Sequence, residues 1–354
     1  MNRRQSVKAL AALSLMNVWG ASRAAGDKGL VGISMPTMGS QRWVYDGLGM
    51  MRALNQLDYT ADLQYANDSS KIQIDHLQAM LGKGARMLVI GAVDGGALTG
   101  VLAEAGKRGV KVLAYDRLIR NSANVDSYAT FDNFAVGELQ ARDIESRLRL
   151  AAPTRPFTLE LFAGDADDNN THMFYDGAMS VLKRYIDGGQ LVVGSGKVAL
   201  KDIYTPHWSG SHAKGRLQGE LATTYARRRL DAVLSPYDGI SIEVLSAFKF
   251  AGYGQPAQPL PVVTGQDAEL ASVRSIKHGE QASTVFKDTR LLVKQSSRMV
   301  DDTLSGRPVS FSDLKTYQNG VKVVPAVLLK PVLVDKANLQ SVLVDSGYYK
   351  LEQV

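Results

Sequence analysis

Residues 112–121 read VLAYDRLIRN, an apolar run that ends abruptly in an acid and a base, Asp116 and Arg117. Continuous apolar and β-branched residues are typical of a strand buried on both faces, as in a parallel sheet covered by helices. In open sheets of that kind, ligands bind beyond the carboxyl ends of the strands. The two charges therefore indicate a binding site at the end of this strand, where each compensates the other until a ligand arrives.

Similar apolar runs recur along the chain and alternate with segments whose apolar residues are three or four positions apart, as in helices. The predicted strands are Leu30–Met35, Thr60–Tyr65, Met87–Ala92, Val110–Tyr115, Phe157–Phe162, Gln190–Ser195, Ala232–Ser235, Leu260–Thr264 and Ala282–Phe286. The alternation predicts an α/β fold with parallel sheets. Because the strands are too many for one ordinary open sheet, and the rhythm pauses at residues 120–133, we predict two doubly wound lobes.

The connections between the lobes predict a hinge of several strands. The first lobe is predicted to comprise residues 26–132 and about 287–320, and the second residues 133–286 and about 321–354. Helix Thr289–Leu304 returns the chain to the first lobe in this scheme, and the strand-like VKVVPAVLLKPVLV at 321–334 recrosses to the second. Several crossings between two lobes form a hinge for domain closure.

Composition is that of a folded globular protein, with 354 residues of which 45% are hydrophobic and 21% charged. The net charge is +6, but Arg3, Arg4, Lys8 and Arg23 precede the first acid, so the body is close to neutral. The one dense basic cluster, residues 227–229, ends a helical stretch, where cations suit the helix dipole. Nucleic-acid binding is therefore not expected. The absence of cysteine excludes disulfides, thiolate metal sites and cysteine catalysis.

Residues 1–25 are predicted to be a signal peptide. The basic MNRRQSVK precedes the apolar ALAALSLMNVWG at 9–20, which is too short to span a membrane, and small residues follow it. Export is expected by the Sec route, or by the twin-arginine route that Arg3 and Arg4 suggest, although Ser6 stands where a large apolar residue is usual. With no cysteine to carry a lipid, we expect a free protein in the periplasm.

Polar residues follow nearly every predicted strand, often beside an aromatic residue, as in SQRW at 40–43 and GDADDNN at 164–170. Carboxylates accept hydrogen bonds from hydroxyl groups, while arginine, lysine and asparagine donate to hydroxyl and ring oxygens. An aromatic ring covers the apolar face of a pyranose, and Trp43 and Trp208 are available for that role. The mixture predicts a neutral, polyhydroxylated ligand.

Several long motifs, in order, carry a family resemblance: SQRWVYDG, VLAYDRLIRN, YATFDNFAVGELQA, DDNNTHMFYDGAMSVLK, DAVLSPYDG, VVTGQDAE, STVFKDTR and TYQNGVKVVP. From KGLVGISMPT onward the chain resembles periplasmic sugar-binding proteins of the ribose/xylose/galactose type, above all the multiple-sugar-binding receptors of plant-associated bacteria. The resemblance implies the type I periplasmic binding fold and capture of a monosaccharide such as xylose, glucose, galactose or arabinose. It further implies a monomer, with no cofactor and no catalytic residues. Delivery to the permease subunits of an ABC importer is expected, and a chemoreceptor or sensor-kinase outer domain is a further partner.

The resemblance also assigns a ligand-binding set. It comprises Arg42, Trp43, Asp116, Arg117, Asn133, Asn169, Asn170, Trp208, Asp238, Gln266, Asp267 and Lys287. In this hypothesis Trp43 stacks on the sugar, the cations donate hydrogen bonds, and the aspartates accept them from hydroxyl groups. One segment departs from the family pattern: in PHWSGSHAKG at 206–215, His207 replaces an expected arginine and Ser209 opens the turn. The missing donor bears on affinity and on the choice of sugar.

Other interpretations are weaker. The five histidines show no metal-ligand spacing. DADDNNTHMFYD at 165–176 resembles the start of a calcium loop but lacks its glycine at position six and glutamate at position twelve, so no metal is expected. Paired carboxylates could hydrolyse a glycoside, but nothing distinguishes an acid from a nucleophile. A sugar-responsive repressor of the same fold would need a DNA-binding segment before the first strand, where this chain has the predicted signal peptide. Sensing without transport remains open.

Overall fold

The structure, a computed structural model, describes residues 27–354, so the predicted signal peptide lies outside the described residues. Twelve strands and nine α-helices occur in this range. The strands are β1 (Leu30–Met35), β2 (Thr60–Tyr65), β3 (Met87–Ile90), β4 (Lys111–Tyr115), β5 (Ser127–Phe131), β6 (Phe157–Leu161), β7 (Leu191–Val193), β8 (Ala232–Leu234), β9 (Val262–Val263), β10 (Ser283–Phe286), β11 (Ala326–Leu329) and β12 (Val332–Asp335).

The helices alternate with these strands as the sequence predicts. They are α1 (Gln41–Gln56), α2 (Ser70–Gly82), α3 (Thr99–Lys107), α4 (Asn133–Leu148), α5 (Asn169–Asp187), α6 (Gly210–Ala222), α7 (Asp238–Phe250), α8 (Leu270–His278) and α9 (Thr289–Leu304). None of the described helices is both long and apolar enough to cross a bilayer.

The first lobe is built on a sheet of six parallel strands in the order β11-β5-β4-β3-β1-β2. Each strand sends alternate residues to opposite faces. In β3, Leu88 and Ile90 enter one hydrophobic core, while Met87 and Val89 enter the core on the other face. Burial on both faces is the physical reason why the strand is apolar throughout.

The second lobe contains four parallel strands in the order β7-β6-β8-β9, and β10 and β12 form an antiparallel pair beside them. Helices α4 and α5 approach each other at backbone contact through two glycines. A Cβ atom on Gly137 would lie 1.9 Å from the carbonyl oxygen of Phe174, and one on Gly177 would lie 2.0 Å from that of Phe134. No side chain fits there, and this close approach brings the N-terminal ends of both helices to the hinge.

The chain crosses between the lobes after β5, after β10 and between β11 and β12. Helix α9 packs against the first lobe, because Leu292 and Val300 lie in the same core as Val31. Three crossings allow the lobes to rotate relative to each other while each keeps its own core.

Two details of the predicted organisation are wrong. The sequence predicts that residues from about 321 onward lie in the second lobe, but β11 belongs to the first sheet, where Ala326 pairs with Tyr128 and covers the edge of β5. The predicted pause at residues 120–133 contains β5, a strand within which Ser127 and Thr130 are buried. Those polar residues interrupt the apolar run by which the other strands are detected.

Candidate functional site

A cavity of about 460 Å³ lies between the lobes, at the carboxyl ends of strands from both sheets. Nine of the twelve predicted site residues line it: Arg42, Trp43, Asp116, Arg117, Asn170, Trp208, Gln266, Asp267 and Lys287. Three predicted residues do not line it: Asn133, Asn169 and Asp238. The strand ends therefore meet at one cleft, and the exceptions lie beside it.

Arg42, near the N-terminus of α1, faces three carboxylates with its three guanidinium nitrogens. Nη2 donates to Asp116 Oδ2, Nη1 lies 3.6 Å from Asp267 Oδ1, and Nε lies 3.5 Å from Asp46 Oδ2. Burial lowers the pKa of Arg42, but the three carboxylates raise it by more, so the guanidinium is a permanent cation. Because Asp267 belongs to the second lobe, Arg42 links the two sides of the cleft.

Asp116 follows β4 in the left-handed backbone region, with φ of 62°. Burial alone would raise its pKa, but the charges of Arg42 and Lys287 outweigh burial and lower the pKa to about 2. The expected compensation by its neighbour Arg117 is wrong as a direct pair, because the carboxylate bonds to Arg42 instead. Asp116 is therefore an ionised acceptor at the floor of the cavity.

Arg117 forms an ion pair with Asp168 across the cleft, with 2.9 Å between Nε and Oδ2, and its Nη1 donates to the carbonyl oxygen of Ala92. Its guanidinium lies 5.3 Å from the ring centroid of Trp43. Burial raises the pKa of Asp168, although the charge of Arg117 opposes the shift. Asp168 is not among the predicted site residues; as the N-cap of α5 it also accepts the backbone N–H of Asn170.

Lys287 is 1% exposed and lies 3.1 Å from Asp267, measured between Nζ and Oδ1. The rings of Phe131 and Phe174 flank its ammonium group at 6.0 and 5.8 Å. A buried ammonium needs such partners, because burial of an unpaired charge is costly. Phe174 was also missed; it lies four residues after Asn170 on α5, and that spacing, once the helix start is known, places both on one face.

The two predicted stacking residues have different surroundings. Trp43 is 5% exposed and packs edge-on against Tyr115 in the core of the first lobe, with Arg42 4.8 Å from its ring centroid. Trp208 contacts Phe174 and Tyr237 edge-on, both at 6.2 Å between ring centroids. Its buried Nε1 has no hydrogen-bond partner among the described residues. Trp208 therefore offers a buried, unused donor to the cavity that it lines.

Of the three predicted asparagines at the hinge, Asn170 lines the cavity, whereas Asn133 and Asn169 do not. Asn170 Oδ1 accepts from Asn133 Nδ2 at 2.9 Å and lies 3.1 Å from Tyr128 Oη, and its Nδ2 donates to the carbonyl oxygen of Asp116 at 3.0 Å. Asn133 thus supports Asn170 and lies behind the cavity. Asn169 is one position off the face of α5 that carries Asn170, and it does not line the cavity.

Asp238 is fully buried in the second lobe. Its carboxylate accepts from the backbone N–H of Glu269, from Thr284 Oγ1 and from Gln281 Nε2. Burial, followed by the nearby charge of Glu269, raises its pKa well above the ordinary value. Its own backbone N–H donates to the carbonyl oxygen of Gln266 at 3.0 Å, so Asp238 holds the loop that carries a cavity residue.

His207 lies at the rim of the cavity, with its side chain 79% exposed and Nδ1 3.8 Å from Asp165 Oδ2. Its backbone N–H donates to the same carboxylate. Asp165 also accepts the backbone N–H of Asp167 at 2.8 Å, so the resemblance to a calcium loop reflects a turn. The histidine that replaces the expected arginine therefore lies at the exposed rim of the cavity.

Two parallel α/β lobes that close over a buried polar cavity define a class: two-lobed solute-binding proteins. The chain belongs to the periplasmic binding protein family, because the model of that domain matches residues 31–308. Close relatives support this assignment over nearly the whole chain.

The multiple sugar-binding periplasmic protein SbpA of Azospirillum brasilense is 54% identical, over 92% of this chain and 91% of that protein. The multiple sugar-binding periplasmic receptor ChvE of Rhizobium radiobacter is 52% identical, over 93% of each. A crystal structure of an ABC transporter solute-binding protein from Clostridium phytofermentans, with bound β-D-glucose, is 43% identical with a TM-score of 0.87 and covers 92% of this chain and 99% of that one.

Proposed function

We propose that this protein captures a monosaccharide between its lobes and delivers it to an ABC sugar importer. The candidate ligands are pyranose aldoses such as glucose, galactose, xylose and arabinose. Support comes from the glucose bound by the Clostridium phytofermentans protein and from the names of the sugar-binding relatives. The cavity of about 460 Å³ lies within the usual range for small-molecule sites.

The observation that carries the proposal is the unused hydrogen-bonding capacity of the cavity wall. Trp208 Nε1, a donor, and Gln266 Oε1, an acceptor, are buried and have no partner among the described residues. Each buried polar group left unpaired costs about 1–3 kcal/mol. A sugar hydroxyl both donates and accepts, so one small polyol satisfies both kinds of group.

Ion pairs across the cleft support a closing mechanism. The Arg117–Asp168 and Arg42–Asp267 pairs each join the first lobe to the second. A ligand stabilises closure only by binding the closed state more tightly than the open state. Sugar hydroxyl groups placed between these charged partners would supply this difference in affinity between the closed and open states, because hydrogen bonds to charged groups are roughly twice as strong as neutral ones.

Binding without a catalytic step fits the electrostatics of the cavity. Asp116 is held ionised by Arg42, and Asp168 is paired with Arg117. A glycoside hydrolase needs one carboxylic acid that is free to donate a proton to the leaving oxygen. Both carboxylates are instead held in ion pairs with arginines.

A second role in signalling is favoured by the similarity to ChvE, which is described as a receptor. The closed form would present one surface built from both lobes to permease subunits, or to the outer domain of a chemoreceptor or sensor kinase. We further propose a monomer that acts in the periplasm after export by the predicted signal peptide.

Isothermal titration calorimetry with D-glucose, D-galactose, D-xylose and L-arabinose tests the proposal, with D-mannitol as an acyclic control. At least one aldopyranose is expected to bind at micromolar concentration or below, and mannitol at least about a hundredfold more weakly, which is roughly 2.7 kcal/mol. If no aldose bound, the proposed function would be wrong. Equal binding of mannitol would contradict a site shaped for a ring.

A further inference from the structure

Asp46 is a carboxylate that the sequence analysis did not single out. It has no exposed surface and does not line the cavity, but it lies one helical turn after Arg42 on α1. Its Oδ2 is 3.5 Å from Arg42 Nε, no described residue donates to it with good hydrogen-bond geometry, and the hydroxyl groups of Tyr115 and Thr289 lie close enough to lower its pKa. Burial of a carboxylate with so few hydrogen bonds costs folding free energy. We therefore expect a role of Asp46 beyond packing.

Arg42 explains what that role is. Its guanidinium is a rigid planar fork, so fixing the direction of Nε fixes the directions of both terminal nitrogens. With Nε turned to Asp46, Nη2 reaches Asp116 and Nη1 points across the cleft to Asp267 of the second lobe. Rotation of the guanidinium away from Asp46 would disturb both contacts at the cavity.

We propose that Asp46 is a positioning residue for sugar binding: its charge, held beneath Arg42, orients the guanidinium so that it bridges ligand and second lobe. The inference rests on the proposed function, since it concerns the same site. It assigns to Asp46 a role in affinity without contact with the sugar.

The surroundings of Asp46 give the inference a pH signature. Burial raises its pKa to about 7; the charge of Arg42 lowers the pKa and that of Asp116 raises it. The other ionisable groups that face it are Tyr115 on β4, Tyr65 on β2 and Tyr348 in the C-terminal segment, and burial raises the pKa of all three. Asp46 is therefore the group of this set that changes charge near neutral pH. Below pH 7 it becomes neutral and releases Arg42, so sugar affinity is expected to fall on acidification.

The test is Asp46→Asn, which keeps the shape and removes the charge, titrated calorimetrically with D-glucose between pH 5.5 and 8.5. At pH 8 the variant is expected to bind about tenfold more weakly than the wild type. Its affinity should not change with pH, and the wild type should approach it at pH 5.5. The melting temperature of the ligand-free variant should not fall below that of the wild type. A merely structural role for Asp46 would instead lower it.

Glu160→Gln is the matched control. Glu160 is another fully buried carboxylate whose pKa burial raises, but it lies on β6, bonds to Tyr225 and Ser195, and does not line the cavity. Its replacement should leave the dissociation constant and its pH dependence unchanged. If Glu160→Gln weakened binding as much as Asp46→Asn, the effect would be one of general stability and the inference would be wrong.

A double-mutant cycle with Arg42→Lys shows whether Asp46 acts through Arg42. If it does, Asp46→Asn should cost little additional affinity once Arg42 is lysine, whereas additive losses would overturn the inference. Wild-type affinity in Asp46→Asn, or wild-type affinity that rises on acidification, would also overturn it. If the wild type bound no aldose, the proposed function and this inference would both fail. If the wild type bound an aldose and Asp46→Asn bound it equally well, only the inference would fail. The two failures are therefore distinguishable.

Discussion

Asn170 Nδ2, at the start of a second-lobe helix, donates a hydrogen bond of 3.0 Å to the backbone carbonyl oxygen of Asp116, at the end of a first-lobe strand. The same carbonyl accepts from Tyr128 Oη and Thr130 Oγ1. One peptide group therefore connects the hinge to the carboxylate that forms the floor of the cavity. Through it, the position of the second lobe and the orientation of Asp116 are tied together.

Asn170→Ala is expected to weaken sugar binding by about 1–3 kcal/mol, because it removes this contact and takes away the acceptor of Asn133 Nδ2. Asn169→Ala is the matched control, since that side chain does not line the cavity. Titration calorimetry of both variants should show a loss of sugar affinity in Asn170→Ala and none in Asn169→Ala. A larger loss for Asn169 would mean that the face of α5 has been assigned wrongly.

Asp116→Ala should reduce affinity by about 2–5 kcal/mol, because it removes the carboxylate to which the buried Arg42 guanidinium donates a hydrogen bond, as well as a hydroxyl acceptor. Asp231→Ala provides the comparison: Asp231 is another buried aspartate, paired with Arg155 in the second lobe and distant from the cavity. That variant should lose stability and keep its dissociation constant. Retention of sugar affinity in Asp116→Ala would place the ligand elsewhere.

Trp43→Ala should lower both ligand-free stability and affinity, since the ring is 5% exposed and packs in the first-lobe core. Removal of a buried tryptophan side chain typically costs about 3–5 kcal/mol of folding free energy. Urea unfolding without sugar measures this cost. An unchanged unfolding midpoint would show that Trp43 contributes to the ligand surface alone.

Trp208→Phe removes the Nε1 donor and retains most of the ring. We expect a loss of about 1 kcal/mol in sugar affinity, the usual value for one neutral hydrogen bond, with little change in ligand-free melting temperature. Calorimetry and thermal denaturation together check this. Wild-type affinity would mean that the sugar does not use this donor.

Asp46 gives a prediction for stability as well as for binding. Its pKa of about 7 in the folded protein exceeds that of an unfolded aspartate, near 3.9, so the folded state binds a proton more tightly between these values. Stability should therefore fall as pH rises from about 4 to 7, by at most about 1.4 kcal/mol per pH unit from this group. Asp46→Asn should be more stable than the wild type at pH 8 and similar at pH 4.5 by urea unfolding. A less stable variant at pH 8 would contradict the pKa shift.

Most of the fold was predictable because it depends on periodicity. β1, β2 and α9 have the predicted bounds, since long apolar runs and regular helical spacing survive any tertiary arrangement. β5 was missed because its buried Ser127 and Thr130 interrupt the apolar pattern. The prediction for β11 is wrong because the sequence of a strand does not determine which sheet edge the strand joins.

Within the site, the sequence determined which kinds of side chain would meet: acids, bases, amides and aromatic rings at the carboxyl ends of parallel strands. That follows from local order along the chain and from the geometry of parallel sheets. Only the tertiary structure decided the partners, because contacts across a cleft join residues far apart in sequence. Asp116 thus pairs with Arg42 and not with its neighbour Arg117, and the same guanidinium reaches Asp267 of the second lobe.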